Sequence, residues 1–250
     1  MNAILEGKNL TKNFDGIKAL DDLSFSIEEN KIISLIGPNG SGKTTLFNII
    51  TGFLEPDNGE VYYKGKPILE EPPHHIANLG IGRTFQNLRL LQKITVLDNV
   101  LLAFKDQSGE SFFGVYFSLK NKKEQEINRE KALTLIEFVG LSEKAEDLAE
   151  NLSYGQQKLL TLACCIAMDA DLLLLDEPVA GLSSVMIDRM FGLMKELKKQ
   201  GKTIFFIEHN LKVVTEVSDK VIVIDEGKKI AEGEPRIVIE NPKVIEAYLE

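Results

Sequence analysis

Cysteine occurs twice in the 250 residues, and no unbroken apolar run is longer than Leu162–Met168. A membrane-spanning helix needs about 20 mostly apolar residues in succession, so no span is expected. The start Met1-Asn2-Ala3-Ile4-Leu5-Glu6 lacks the basic opening and apolar core of a secretory signal. A chain of this kind serves a membrane by docking to something already there. Cys164 and Cys165 are adjacent within a helical pattern, which reads as a pair of buried thiols in a reducing compartment and not as a disulfide framework or metal site. A basic excess is missing too: 29 Lys+Arg against 38 Asp+Glu give a net charge of −9, so general nucleic-acid binding is not expected. There is no internal repeat and no low-complexity segment. What is present, 44% apolar and 27% charged residues, excludes a disordered or fibrous chain and suffices for one domain or two small lobes of an acidic, soluble cytoplasmic protein.

Along the chain, Ile4, Leu5 and Leu10, then Leu23, Phe25 and Ile27, alternate with polar residues and predict an antiparallel pair turned at Asp15-Gly16. Ile32–Ile36 reads as a short buried strand and Thr44–Thr51 as a helix. Further strands are expected at Glu60–Lys64 and Ile81–Phe85, with a proline-histidine loop around Pro72–His75 between them. From about Asn87 to Met168 apolar residues recur at helical spacing (Leu97, Val100 and Leu101, then Leu133, Ile136 and Val139), marking a helical insertion. Within it Asp106–Gly114 reads as a surface loop and Lys120–Lys131 as a solvated helix face. The apolar runs Leu172–Asp176, Thr203–Ile207 and Val221–Ile224 alternate with helical stretches at Ser184–Gln200 and Leu211–Val217, the pattern of parallel strands with crossover helices. Pro242–Leu249 reads as a small amphipathic helix.

Gly37-Pro38-Asn39-Gly40-Ser41-Gly42-Lys43-Thr44 fits the P-loop pattern and lies between a predicted strand and a predicted helix, the context that motif requires. The glycines let backbone N–H groups curl around phosphates, and the helix N-terminus adds partial positive charge. Lys43 is placed to reach the β and γ phosphates and the Thr44 hydroxyl to ligate Mg²⁺. Thr45 supports the phosphates from the next position. Downstream, Leu172-Leu173-Leu174-Leu175-Asp176-Glu177-Pro178 delivers two acids at a strand's end. Asp176 falls where a carboxylate holds the metal, and Glu177 where a general base or water-positioning group is needed.

With Leu152-Ser153-Tyr154-Gly155-Gln156-Gln157-Lys158 ahead of a further helix, the chain resembles the nucleotide-binding subunits of ABC transporters along essentially its whole length. The resemblance implies an α/β fold, the P-loop NTPase ABC cassette: a RecA-like, mostly parallel core with an N-terminal antiparallel β subdomain and a helical subdomain. It implies one nucleotide-binding domain over 1–250, with 1–86 and 169–250 forming the core lobe and about 87–168 the helical signature lobe. In this family two subunits pair head to tail, so that the signature residues Ser153, Gly155 and Gln156 of one close over ATP held by the P-loop of the other. Ser153 is a good N-cap for such a helix terminus. By position Gln86 matches the glutamine that reaches Mg²⁺ and the attacking water, His209 the switch histidine at the γ-phosphate, and Phe14 the aromatic that stacks on adenine.

Gly82-Arg83-Thr84-Phe85-Gln86-Asn87-Leu88-Arg89-Leu90, Thr95-Val96-Leu97-Asp98-Asn99-Val100, Tyr154 and the ending Asn241–Leu249 are similar to the ATP-binding subunits of branched-chain amino acid importers. Importers of urea and other amides use nearly the same subunit. The ATPase of lipopolysaccharide export shares the Ala231-Glu232-Gly233 to tyrosine-leucine ending but carries a second glycine at the Tyr154 position. Soluble ABC proteins are disfavoured by the single cassette, the acidic charge and the lack of a long coiled coil or zinc-ligand cysteines. Two departures stand out: Cys164 where the family commonly has Arg, and Ser183 where Asp or Asn is usual. The resemblance thus implies an ATPase with ATP and Mg²⁺ as cofactors, paired with itself or a paralogue. It would sit peripherally on the cytoplasmic face of the inner membrane, docked on permease subunits and acting indirectly with a solute-binding protein. The Asn87–Phe104 segment reads equally as packing of the helical lobe or as the docking groove; most of its side chains are expected in the core, with Leu90, Leu91 and Lys93 the candidates to face a partner.

Overall fold

The computed structural model describes residues 3–84, 88, 90–105 and 118–249, the side chains of 118–123 excepted. The expected Asp106–Gly114 loop and Gln86 lie outside the described residues. The contacts divide the chain into two units: Met1–Arg83 with Asp171–Pro178 and Met194–Glu250, and Thr84–Ala170 with Val179–Leu193.

The first unit carries two sheets among the described residues. β1 (Ala3–Phe14) and β2 (Ile17–Glu28) form the antiparallel hairpin expected from the sequence. Asp15 and Gly16 both take positive φ (45° and 88°), as a two-residue hairpin turn matched to strand twist demands. β3 (Ile32–Ile36) leads into the P-loop and then α1 (Lys43–Ile50). β4 (Asn58–Tyr63) and β5 (Lys66–Pro67) complete a sheet of order β2-β1-β4-β5. The stretch expected to be a loop around Pro72–His75 instead opens a helix, α2 (Pro73–Leu79). Proline at the first helical position sacrifices no hydrogen bond, because that N–H has no partner within the helix anyway.

The second sheet starts with β6 (Ile81–Arg83); Thr84, expected in this strand, lies outside it, and Phe85 is not among the described residues. With β7 (Leu172–Asp176), β8 (Thr203–Ile207), β9 (Lys220–Asp225) and β10 (Lys228–Gly233) its order is β10-β9-β3-β8-β7-β6. All neighbours are parallel except β10, which is antiparallel to β9. Every residue of β3, β7 and β8 is buried, the condition of a parallel sheet covered on both faces. On one face Phe205 packs against Phe47 of α1 and Phe25 of β2, with ring centroids 5.2 and 6.1 Å away. On the other, Ile36, Val221 and Val223 meet side chains from α7 (Leu211–Val217), α8 (Pro235–Val238) and α9 (Pro242–Ala247).

In the second unit α3 (Val96–Leu102), α4 (Ser118–Phe138) and α5 (Tyr154–Ala167) pack together. Leu97, Val100, Ile136 and Val139 are buried as their spacing predicts, whereas Leu133 is exposed and Ala132 takes the inward position. α6 (Ser184–Lys199) begins in this unit and ends in the other. Burial pushes both the Cys164 and Cys165 thiols up to about 12. At pH 8 a thiol of that pKa is about one part in 10⁴ thiolate, so iodoacetamide should label neither cysteine until the protein is unfolded. Rapid labelling of native protein, read by mass spectrometry, would contradict this burial.

Candidate nucleotide site

Parallel strands place their carboxyl ends along one edge of the sheet, and ligands of open α/β sheets bind outside that edge. In the order β3-β8-β7 that edge presents the P-loop, Glu208-His209 and Asp176-Glu177 side by side. Residues remote in sequence are therefore neighbours within the first unit.

The P-loop is a tight backbone cradle. Gly37 has φ 155° and Gly42 φ 102°. A Cβ on Gly37 would lie 2.0 Å from the Ile224 carbonyl oxygen and one on Gly42 2.2 Å from that of Ala19, so neither position admits a side chain. α1 has no side-chain cap at Gly42, and a helix N-terminus of this kind is suited to an anion. Asn39, Gly40 and Thr44 are exposed on the loop, Ser41 is buried, and Pro38 and Thr45 are half-buried. Lys43 Nζ donates to the Gly37 and Pro38 carbonyls at 2.8 and 2.7 Å and to Ser41 Oγ at 3.2 Å. Burial lowers its pKa, while the charges of Glu177 and Asp176 oppose that shift. The ammonium is thus pinned over the loop and lies in the field of both acids.

Asp176 closes β7 with its side chain 7% exposed, and Arg83 Nη2 stands 3.6 Å from its Oδ2. Glu177 adopts φ 48°, a strained conformation for this residue type that costs of order 1–3 kcal/mol and clusters at functional sites. Its N–H donates to Ile207 O at 3.1 Å, tying the turn to β8. His209 Nδ1 lies 3.5 Å from Glu177 Oε1. Phe14 ends β1 with 44% of its surface exposed and Lys12 Nζ 5.7 Å from its ring. In the second unit, Ser153 Oγ accepts from the Gln156 N–H at 3.3 Å and Gln156 Oε1 from the Ser153 N–H at 2.9 Å, a capping box at the start of α5. Gly155 has Met186 and Leu182 against it.

Among the described residues no group of three His, Cys, Asp or Glu side chains is arranged to hold a metal. The donor set at the sheet edge, a Thr44 hydroxyl and an Asp176 carboxylate, consists of hard oxygens. Such a set fits Mg²⁺, which is commonly held by one or two protein oxygens together with substrate phosphates and water. The residues present suit a cation that arrives with a phosphate ligand.

Two groups at this edge went unassigned in the sequence. Arg83 is one: Nη1 donates to Asn48 Oδ1 at 2.9 Å and Thr51 Oγ1 at 2.8 Å. Tyr248 is the other: its ring packs on the Ile36 cluster, its buried hydroxyl makes no aligned hydrogen bond, and burial raises it to about 12, with the Gly37 N–H partly offsetting. In the segment considered for docking, Leu91 and Leu102 are exposed, Leu90 is half-buried, and Lys93 pairs with Glu150 at 2.6 Å. Asn99, buried, binds the Leu91 N–H and the Leu91 and Thr95 carbonyls and so braces the exposed turn. Asn87 lies outside the described residues.

A family profile described as "ABC transporter" matches residues 20–180, and one described as "Branched-chain amino acid ATP-binding cassette transporter" matches 228–249. A probable branched-chain amino acid transport ATP-binding protein, LivG, of Archaeoglobus fulgidus is 44% identical, covering 98% of this chain and 95% of that protein. The high-affinity branched-chain amino acid transport ATP-binding protein BraF of Pseudomonas aeruginosa is 38% identical, covering 98% and 97%. Among solved structures, the ADP conformation of MJ1267, an ATP-binding cassette of an ABC transporter, superposes with a TM-score of 0.87 at 38% identity over 100% of this chain and 99% of that one. The dimeric structure of MJ0796, a bacterial ABC transporter cassette, gives 0.79 at 28% identity over 93% and 99%. With the P-loop, Asp176 and Glu177 on one sheet edge and matches of this extent, the chain belongs to the ABC transporter family as one of its ATP-binding cassettes.

Proposed function

We propose that this cassette is the ATP-hydrolysing subunit of a branched-chain amino acid importer, working as a head-to-tail dimer docked on membrane permease subunits at the cytoplasmic face. The observation that carries the ATPase reading is the gathering of Lys43, Asp176, Glu177 and His209 at the carboxyl edge of one parallel sheet. The choice of solute is supported by the relatives' names and the match over 228–249.

In this reading the backbone of Gly37–Gly42, with Lys43, Thr44 and Thr45, holds the phosphates, and Phe14 faces the adenine. Thr44, Asp176 and Gln86 would hold Mg²⁺, which would supply positive charge to offset that of the phosphates. Glu177 orients a water for in-line attack and takes its proton, while His209 holds that carboxylate in place and faces the γ-phosphate. Lys43 stabilises the charge that develops on the transferring group. Ser153, Gly155 and Gln156 complete the site of the partner cassette: the Ser153–Gln156 capping box takes up the Ser153 and Gln156 N–H groups, and the first-turn N–H groups of Tyr154 and Gly155, which have no partner within the helix, face the ligand. Leu91, on its Asn99-braced turn, and Leu102 form the apolar contact for the permease.

Reconstitution with the permease pair and its solute-binding protein in proteoliposomes tests the proposal. Leucine-loaded binding protein should raise ATP hydrolysis at least roughly threefold over unloaded binding protein. Stimulation by urea but not by leucine, isoleucine or valine would overturn the solute assignment, and absence of any complex with a permease would overturn the importer reading.

A further inference from the structure

The aromatic assigned to the base stands on a hairpin tip outside the core. Every residue from Asn13 to Lys18 is exposed, so apolar burial does not hold this stretch, and a two-stranded hairpin alone is marginally stable in water. Phe14 has the β1–β2 ladder on one side, where it pairs with Ile17. On the other side the β1–β4 ladder ends at Thr11 and Asn58. Backbone groups of alternate residues face the same side of a strand, so the Asn13 N–H points to where β4 no longer runs.

One carboxylate takes the place of that strand. Asp57 donates its own N–H to the Thr11 carbonyl at 2.8 Å. Its Oδ2 accepts from the Asn13 N–H at 2.7 Å and from Asn13 Nδ2 at 2.9 Å, and its Oδ1 accepts from Lys12 Nζ at 2.9 Å. Both oxygens are thus engaged by the two residues that precede Phe14. The Lys12 ammonium, fixed by Asp57, lies 5.7 Å from the centre of the Phe14 ring. Hydrogen bonds to an ionised acceptor are stronger than neutral ones. Lys12 first, and then the Asn13 N–H, hold the Asp57 carboxyl down at about 2, so the anchor is ionised at neutral pH. We propose that Asp57 is a positioning residue for base recognition: it replaces the missing strand beside Asn13, fixes the direction in which Phe14 projects and keeps Lys12 against the ring, so that the exposed part of the aromatic is presented to a purine. The proposal rests on the reading above that Phe14 faces the adenine.

The experiment measures, on the full chain with Mg²⁺, the affinity for a ribose-labelled fluorescent ATP and, from its displacement, the affinity for inorganic tripolyphosphate, which has no base. The variants are Phe14→Ala, Asp57→Ala and the double. Phe14→Ala should weaken ATP binding roughly 5- to 100-fold, the range spanned by stacking of one base on one aromatic. Asp57→Ala should weaken it roughly 3- to 10-fold and leave tripolyphosphate within about 1.5-fold of wild type; this split is one that damage to the fold or to the P-loop would not give. The double variant should bind ATP no worse than Phe14→Ala alone, because Asp57 acts through that ring. Equal losses for ATP and tripolyphosphate would overturn the proposal, as would the same further loss in the Phe14→Ala background. If Phe14→Ala costs ATP affinity and Asp57→Ala does not, Phe14 keeps its place at the base and the role of Asp57 alone falls. If Phe14→Ala costs nothing, the placement of Phe14 fails and the proposal falls with it. Should Asp57→Ala not fold, Asp57→Asn replaces it. The amide retains an acceptor for the Asn13 N–H and gives up the ion pair with Lys12, so a loss of roughly 2- to 5-fold is expected, confined to ATP and erased by Phe14→Ala; wild-type affinity would overturn the proposal.

Discussion

Replacing Glu177 by glutamine should cut ATP turnover by roughly 10²- to 10⁴-fold, the range over which a positioned general base acts, while leaving nucleotide affinity within about threefold. The amide has the size and shape of the carboxylate, so the β7 turn and its Ile207 hydrogen bond have no reason to change. The strained φ of 48° is equally costly for both residues, and the melting temperature should hold. What is lost is the ability to take a proton from water. The contact with His209 Nδ1 at 3.5 Å survives as a neutral interaction and keeps the side chain aimed, so geometry alone should not rescue the rate. Nucleotide binding is spared because Lys43 and the P-loop backbone are untouched, and the loss of one negative charge near Lys43 favours an incoming triphosphate slightly. Phosphate release and titration with a fluorescent ATP analogue separate the two effects. A variant that releases phosphate at the wild-type rate would remove Glu177 from the reaction.

The parts of this fold legible in the sequence were those in which local chemistry and burial agree. The hairpin at Asp15-Gly16 announces itself by residues that tolerate positive φ, and β3, β7 and β8 by short apolar runs with no polar face. The P-loop was legible because its glycines answer to backbone constraints that leave no room for a Cβ. Where the same residue type serves two opposite local structures, the sequence misled. Pro73 was read as a loop marker, but it occupies the first position of α2, where a missing N–H does no harm. β10 escaped notice because Lys228–Gly233 has no apolar run; its ladder with β9 fixes its conformation, and strand preference at an edge is dictated by such pairing.

Tertiary charge placement was the other blind spot. An arginine at a strand's end ordinarily reads as a solvated side chain, and nothing within the Gly82–Leu90 string shows that Arg83 turns inward to Asp176 and α1. Only the adjacency of β6 and β7 creates that pair. The same holds for Tyr248, whose place beneath Ile36 depends on the C-terminal helices folding back over the sheet. Conversely, the stretch Val179–Leu193, placed by its sequence position with 169–250, has its contacts in the second unit. Sequence order identifies the groups with chemistry, whereas the sheet order decides which of them face one another.

Removing the amine of Lys43 should have the largest effect on binding: Lys43→Ala should weaken ATP affinity roughly 10²- to 10³-fold and leave no measurable hydrolysis at submillimolar ATP. Hydrogen bonds to a charged partner are each worth about 1.5–3 kcal/mol, and an ammonium between two phosphates forfeits more than one. Electrostatics adds to the loss. Asp176 and Glu177 both act on Lys43, and without it their negative charge faces the triphosphate uncompensated. A unit charge at about 4 Å counts for about 4 kcal/mol at an effective dielectric constant of 20. Two decades in affinity need only about 2.7 kcal/mol, so even partial relaxation of the acids away from the phosphates leaves the expected deficit intact. The fold should survive. The Gly37 and Pro38 carbonyls and Ser41 Oγ lose a donor, but the loop is half open and water can take its place, while the backbone path is set by the glycines. An affinity within threefold of wild type, from a variant with an unshifted thermal melt, would show that the cradle does not hold its ligand through this side chain. Paired with Glu177→Gln, the substitution makes a sharp contrast: one variant binds and does not turn over, the other does neither, and that ordering follows from placing the amine on the phosphates and the carboxylate on the water.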